Sequence, residues 1–368
     1  MKKIAVHPMT TPPRAMLGIS MVELMIAMLL GLFVLAGLAT LFASSSAART
    51  EMERSSRQIE NGRFAMELIS DDLRLAGFYG ELSLDPGTYP AVMPDPCSVD
   101  PVQWRAALPI AVQHYDNAVG VPGCMGITAR AGTDVVVVRR VSSCEAGVGT
   151  CPNLLAGLPY LQVAKCKTQT LADRNMPNSR YVLERMGTGV FDRKLKDCAN
   201  NAGARQYLVR AYFIADDNGS GVSVPTLKRV DFNGVGYDRP VALVEGIEAL
   251  NVEYGIDNFG IAADVRFLEG SPDVYTANPA TYAVAGCVNF CTAVHNMGNI
   301  VTARVNLLAR NIEASPSYTD NKTYSLGRDA AGVEFTITPG GNYRRHVYSG
   351  VVRVVNVSQR RERVPAGL

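Results

Sequence analysis

Three groups of side chains in this 368-residue chain have types and spacings that could do chemistry. Cys287, Cys291 and His295 fall four residues apart, a spacing that on a helix would stack three zinc ligands on one face. In an oxidising compartment the same spacing favours a Cys287 to Cys291 disulfide in a tight loop, with His295 a surface residue. Asp216, Asn218, Ser220 and Gly221 match the start of a calcium loop, but Leu227 stands where the bidentate Glu belongs. The stretch DDNGSG therefore reads as a hairpin turn, at which any Ca2+ would be adventitious. The third group is Glu23, a lone carboxylate at the head of an apolar run. The four histidines, His7, His114, His295 and His346, form no HExxH. Nor does the chain contain a Walker loop, a dinucleotide glycine fingerprint or a nucleophile elbow. The expectation is no catalytic residue, no metal and no cofactor, and a protein that is not an enzyme.

Glu23 is placed by the element around it. Residues 18–43, GISMVELMIAMLLGLFVLAGLATLFA, carry no charge from position 24 to position 43. About twenty such residues at about 1.5 Å each form a helix about 30 Å long, enough to cross one hydrocarbon core. A carboxylate leaving water there costs about 2 to 3 kcal/mol even on the lenient insertion scale, so it calls for a cationic partner. The preceding stretch, MKKIAVHPMTTPPRAMLG, has Lys2, Lys3 and Arg14, no acid, and three prolines, the pattern of a leader rather than of folded structure. An ordinary secretory signal, with Ala43 and Ser45 at its cleavage site, would have an apolar region of only about 7 to 15 residues. That reading, like a plain anchor, leaves Glu23 unexplained.

A short basic leader ending in Gly18, an apolar first position at Ile19, Glu23 at the fifth and an unbroken apolar helix resemble the class III signal of type IV pilins. The resemblance implies that a prepilin peptidase cuts between Gly18 and Ile19 and methylates the new amine of Ile19, which stands where Phe is usual. Such a cut leaves the helix as a permanent anchor. A neighbouring subunit's amine could then neutralise Glu23 and fix register. Ala27 and Gly31 supply small residues for close helix packing.

The totals fit an exported head. Without the leader, the 36 Lys and Arg fall by Lys2, Lys3 and Arg14 to 33, against 34 Asp and Glu, so the mature chain is near neutral at −1. No basic field argues for nucleic acid. Eight cysteines, an even number, all follow the span: Cys97, Cys124, Cys144, Cys151, Cys166, Cys198, Cys287 and Cys291. They favour disulfides outside the cytoplasm, with the close pairs Cys144 to Cys151 and Cys287 to Cys291 the first candidates.

Beyond the span, Met52, Ile59, Met66 and Leu73 repeat every seven residues with Phe64, Leu68 and Ile69 alongside, so the helix is expected to continue to about Ala76 with Gly77 as cap. Gly62 inside it costs about 1 kcal/mol against Ala and marks a kink or a close contact. The expected organisation is a leader over residues 1–18, a helix over 19–77 (transmembrane 19–43, amphipathic 44–77) and an extracytoplasmic head over 78–368. Residues 78–130, rich in Pro, read as a long irregular connection holding Trp104, and residues 97–200 as an irregular Cys-rich region. Strand patterns follow at 133–141, near 180, at 206–215, 243–256, 300–310 and 343–357, before a charged tail. Val301, Ala303, Val305 and Leu307 alternate with Thr302, Arg304, Asn306 and Leu308, the pattern of a half-buried strand. The fold class is α+β: a long N-terminal helix packed on an antiparallel sheet, with a disulfide-rich insertion.

The VEGIEALNVEYG segment, the alternating VTARVNLLAR strand and the closing RRHVYSGVVRVVNV strand resemble the PilW family of minor pilins, as does the ELISDDLRLAGFYG helix end. The resemblance implies a structural minor pilin that co-assembles through its N-terminal helix to prime or cap a type IV pilus. Its partners would be the prepilin peptidase, other minor pilins and the major pilin, the assembly platform and, at the tip, an adhesin. It would sit in the inner membrane with its head in the periplasm, then in the pilus. A pseudopilin of a type II secretion or DNA-uptake system shares the same signal and helix, and a membrane-tethered enzyme is the alternative from another class.

Overall fold

The computed structural model describes residues 18–84, 89–171, 180–257, 269–283, 292–316 and 318–362. The leader up to position 17, and both Cys287 and Cys291, lie outside the described residues. The chain divides into two compact units, residues 1–53 and residues 54–368. The helix α1 (Met21–Leu75) supplies the described structure of the first and the opening element of the second.

In the second unit the elements are α2 (Pro101–Ala107), β1 (Val112–Tyr115), β2 (Val135–Val141), β3 (Pro159–Val163), α3 (Lys167–Leu171), β4 (Tyr181–Arg185), β5 (Ala204–Ala215), β6 (Thr226–Asp231), β7 (Val241–Glu245) and β8 (Ile247–Ile256). There follow β9 (Val274–Thr276), α4 (Ala293–Gly298), β10 (Ile300–Arg310), β11 (Tyr324–Arg328), β12 (Glu334–Ile337), β13 (Arg345–Arg353) and α5 (Val355–Arg361). Among the described residues the strands form a seven-stranded sheet, a four-stranded sheet ordered β13-β10-β8-β9 and the hairpin β11-β12, so the expected antiparallel layer is divided into three. In the first sheet β5 is the long spine: β2 flanks it, with β1 beyond, while β3 and β6 pair with its two ends and carry β4 and β7.

Both faces of the first sheet are covered. Along β2, Val136 and Val138 join a core with Ala65, Ile69 and Leu73 of α1, while Val135, Val137 and Val141 join a second core with Trp104, Leu108 and Phe213. Alternate side chains point to opposite faces of a strand, so the run VVVV fits a doubly covered position. The stretch expected to be irregular, residues 97–200, holds most of this second core's frame: α2, capped by Asp100, and strands β1 to β4. Three disulfides staple it, Cys97–Cys124, Cys144–Cys151 and Cys166–Cys198. In the chain-entropy picture, loops of these lengths stabilise by about 2 to 4 kcal/mol each.

The segment 243–256 is two strands rather than one. Gly246 (φ +81°) breaks it, and a side chain there would meet the Arg310 carbonyl oxygen at 2.7 Å. Strand β10 is buried on both faces except at Arg304, because the β11-β12 hairpin covers Leu308 and Ala249 on the side expected to face water. The last strand also stops early. Val354 begins a turn into α5, which takes in VNVSQRR and so includes the first four residues of the expected charged tail.

Candidate functional site

The residues expected to govern processing and assembly stand at the start of α1. Gly18, Ile19 and Ser20 precede the helix, Ile19 is 75% exposed, and the Leu24 amide donates to the Ser20 carbonyl to open the helical ladder. Glu23 lies in the first turn, where the positive end of the helix dipole favours a carboxylate. Ala27 and Gly31 follow at four and eight residues, within about 80° of Glu23 around the axis, so the three share a face. All three are exposed, as is every apolar side chain from Met21 to Phe42. The segment is long and apolar enough to cross a membrane, and none of it is buried against protein. A surface of that size cannot be left in water; it requires lipid or the helices of other subunits.

From residue 54 onward the same helix is built differently. Its buried residues are Gln58, Gly62, Ala65, Ile69, Ser70, Asp72 and Leu73. The seven-residue row read from sequence points elsewhere: of its members only Leu73 is fully buried, while Met52 and Ile59 are exposed, as is Phe64 beside them. Small residues such as Gly62, Ala65 and Ser70 share the inner face with Ile69 and Leu73 because the helix lies close to strands. A Cβ on Gly62 would come within 2.2 Å of the Tyr348 ring of β13, so this glycine marks close contact. The Gln58 side-chain amide donates to the carbonyls of Ala309 (2.8 Å) and Arg344 (3.1 Å), and Asn61 donates to that of Glu245 (3.1 Å). The helix ends at Leu75, Gly77 turns at φ +73°, and its amide donates to the Arg139 carbonyl.

Asp72 is the ionic anchor of this half. It accepts from Arg140 on β2 (2.9 Å) and from Arg210 (3.1 Å) and the Tyr212 hydroxyl on β5. Burial alone would raise its pKa, but Arg210, Arg140 and the Tyr212 hydroxyl together hold it below the ordinary carboxylate value. The closing segment has a counterpart: Arg361 of α5 pairs with Asp257 at 2.8 Å and donates to Asn299 at 2.6 Å.

The metal readings of the sequence divide. His295 lies in α4, shares a hydrogen bond with the Thr292 hydroxyl and stacks edge-on with Tyr89, while its two cysteine neighbours lie outside the described residues. Residues 216–225 join β5 to β6 as a hairpin, in which Asp217 pairs with Lys228 and the Asn218 side chain turns back on Ser220. A group with no expected role is brought together instead: His114 at the end of β1, Asp116 just after it and Asp134 just before β2. His114 and Asp134 are buried, so desolvation pulls the imidazole down to about 3 and pushes the carboxyl up to about 7. Nothing in sequence spacing signals this group, because Asp134 lies eighteen and twenty positions from Asp116 and His114 and only the register of β1 on β2 joins them.

Residues 211–356 match the family model described as type IV pilus-assembly protein W. They run from within β5 to the start of α5 and include the whole four-stranded sheet. No curated protein matches the chain. Among solved structures, a type IV-like pilin from Thermus thermophilus aligns over 82% of this chain and 97% of its own, at 11% identity and a TM-score of 0.33. Over residues 211–356 the chain is therefore similar to the PilW family of type IV pilus-assembly proteins, and it carries the long apolar N-terminal helix and antiparallel sheets described above.

Proposed function

We propose that the protein is a minor pilin that enters a type IV pilus through its N-terminal helix and helps to prime or cap the filament. The observation that carries this reading is the arrangement at the start of α1: one carboxylate, Glu23, on a helix segment whose apolar side chains are all exposed. Cutting between Gly18 and Ile19 by a prepilin peptidase creates a cationic amine four residues from Glu23. In a filament the amine of one subunit then neutralises the carboxylate of the next, and Ala27 and Gly31 let the helices approach.

In this reading the protein is structural and not an enzyme. It works with other minor pilins, the major pilin, the assembly platform and an adhesin at the tip. Its head lies in the periplasm before assembly and at the distal end of the pilus afterwards. Size supports the tip position. About 290 residues after the helix give an expected radius of gyration near 19 Å, against about 13 Å for a 100-residue head. A filament built wholly of such heads would crowd its own surface, whereas at the tip no subunit lies above.

The experiment is the intact mass of a Gly18→Val chain from the membrane fraction. A side chain before the cut crowds the peptidase, so the expected mass retains residues 1–18; a normally shortened chain overturns the assignment.

A further inference from the structure

We propose that His114, Asp116 and Asp134 form a binding site for one first-row divalent cation of the zinc class, set between the seven-stranded and four-stranded sheets of the head. One donor atom from each side chain lies within 4.8 Å of the others. The second observation is the state of the imidazole. The His114 side chain is fully buried, its Nε2 faces Asp134 Oδ2 at 4.0 Å, too far for a hydrogen bond, and it has no partner among the described residues. A buried ring nitrogen left without a partner costs about 1 to 3 kcal/mol. A cation on Nε2 removes that cost.

The surroundings fit a ligand set. The other ring nitrogen, Nδ1, shares a 3.2 Å hydrogen bond with the Tyr254 hydroxyl of β8, the outer contact that fixes ring orientation and tautomer for a ligating histidine. Asp134 is held by the amides of Asn117 (3.0 Å, to Oδ1) and Val252 (2.8 Å, to Oδ2), which leaves lone pairs on both oxygens. Asp116 accepts from the side-chain amides of Asn117 and Asn278. Among the described residues no Lys or Arg pairs with either carboxylate, and Asp329 adds further negative charge near Asp116. Two carboxylates and one neutral imidazole balance a divalent cation, so the filled site buries no net charge. One nitrogen and few oxygens favour zinc over calcium, which takes six to eight oxygens. Zinc donors stand about 3.3 Å apart, so the side chains close by under about 1 Å, and a water completes a tetrahedral shell.

The cation would act as a staple. His114, Asp116 and Asp134 belong to the β1-β2 edge of the first sheet. Their supports, Val252 and Tyr254 on β8 and Asn278 after β9, belong to the second sheet or follow its edge strand, and the Asp134 amide donates to the Leu250 carbonyl. This departs from the expectation of no metal drawn from the sequence.

The test uses the full-length chain in detergent, dialysed against zinc chloride and then metal-free buffer, with metal counted by plasma mass spectrometry and unfolding followed by calorimetry. Expected are about one zinc per chain and a higher Tm than after chelation. Asp116→Asn, at a half-buried position that leaves the fold intact, should weaken zinc binding at least about ten-fold and abolish the Tm shift. His114→Gln should do the same, and His295→Ala should change neither. The proposal is overturned by a chain that takes up no zinc, by calcium binding in its place, by Asp116→Asn retaining wild-type affinity, or by His295→Ala being the variant that loses the metal.

Discussion

The two halves of α1 share one backbone conformation but are written for different solvents. From Met21 to Phe42 the side chains are almost all apolar and all exposed; from Arg54 to Leu75 the buried face contains Gln58, Gly62, Ser70 and Asp72. Apolar content therefore does not predict burial inside this protein in the first half, and in the second it does so only in part, at Ala65, Ile69 and Leu73. In the first, the apolar surface awaits lipid or other subunits, where charge is the costly exception and Glu23 the single instance. In the second, the helix meets strands whose carbonyls and arginines offer partners, so polar and small residues fill its inner face and Ile59 and Phe64 are left outside. Gln58, Asn61 and Asp72, the polar residues with which this helix meets the head, are satisfied within the chain. The one in the anchor is not.

Removing Asp72 should break this contrast most strongly. Asp72→Ala leaves Arg140, Arg210 and the Tyr212 hydroxyl without their shared acceptor. Breaking a buried ion pair costs about 3 to 5 kcal/mol, and both arginines reach some water, so about 3 kcal/mol is expected in denaturant unfolding of the head. A change of the same residue's charge by pH is milder. Its folded pKa lies below the unfolded value, so its contribution is complete above about pH 4. It is lost as pH falls through the folded value. The acid limb of a Tm-against-pH curve should therefore be shallower in Asp72→Asn than in the wild type.

Gly62→Ala should come next. The added methyl meets the Tyr348 ring, and overpacking of about 1 to 3 kcal/mol is offset in part by about 1 kcal/mol of helix propensity, a net loss of about 1 kcal/mol by calorimetry. The smallest effect belongs to Phe64→Ser, on the exposed side of the same turn. Head stability should move by less than about 0.5 kcal/mol.

Local pattern sufficed where burial follows from period. The apolar span, the hairpin at DDNGSG and the strands at 135–141, 204–215 and 300–310 all stand where alternation and turn residues put them. What escaped depends on partners distant in the chain. The inner face of the head helix is set by Tyr348 and by carbonyls near residues 245, 309 and 344, none visible from a heptad count. Burial of Leu308 needs the later β11-β12 hairpin, and α5 forms in a valine-rich stretch whose composition favours a strand. The group at His114 was illegible for the same reason, since β-sheet register alone joins it.

The most direct measurement of the account is quantitative mass spectrometry of sheared pili and of membranes from cells carrying wild-type or Glu23→Val protein. The substitution makes the span more apolar and changes no residue of the head, so the variant should be inserted, trimmed to Ile19 and as stable as the wild type. In pili the wild type should appear in few copies per filament, and the variant should be depleted by at least about ten-fold, the loss expected when a buried amine is left without its counter-charge. A variant present in pili at the wild-type level would contradict assembly through Glu23.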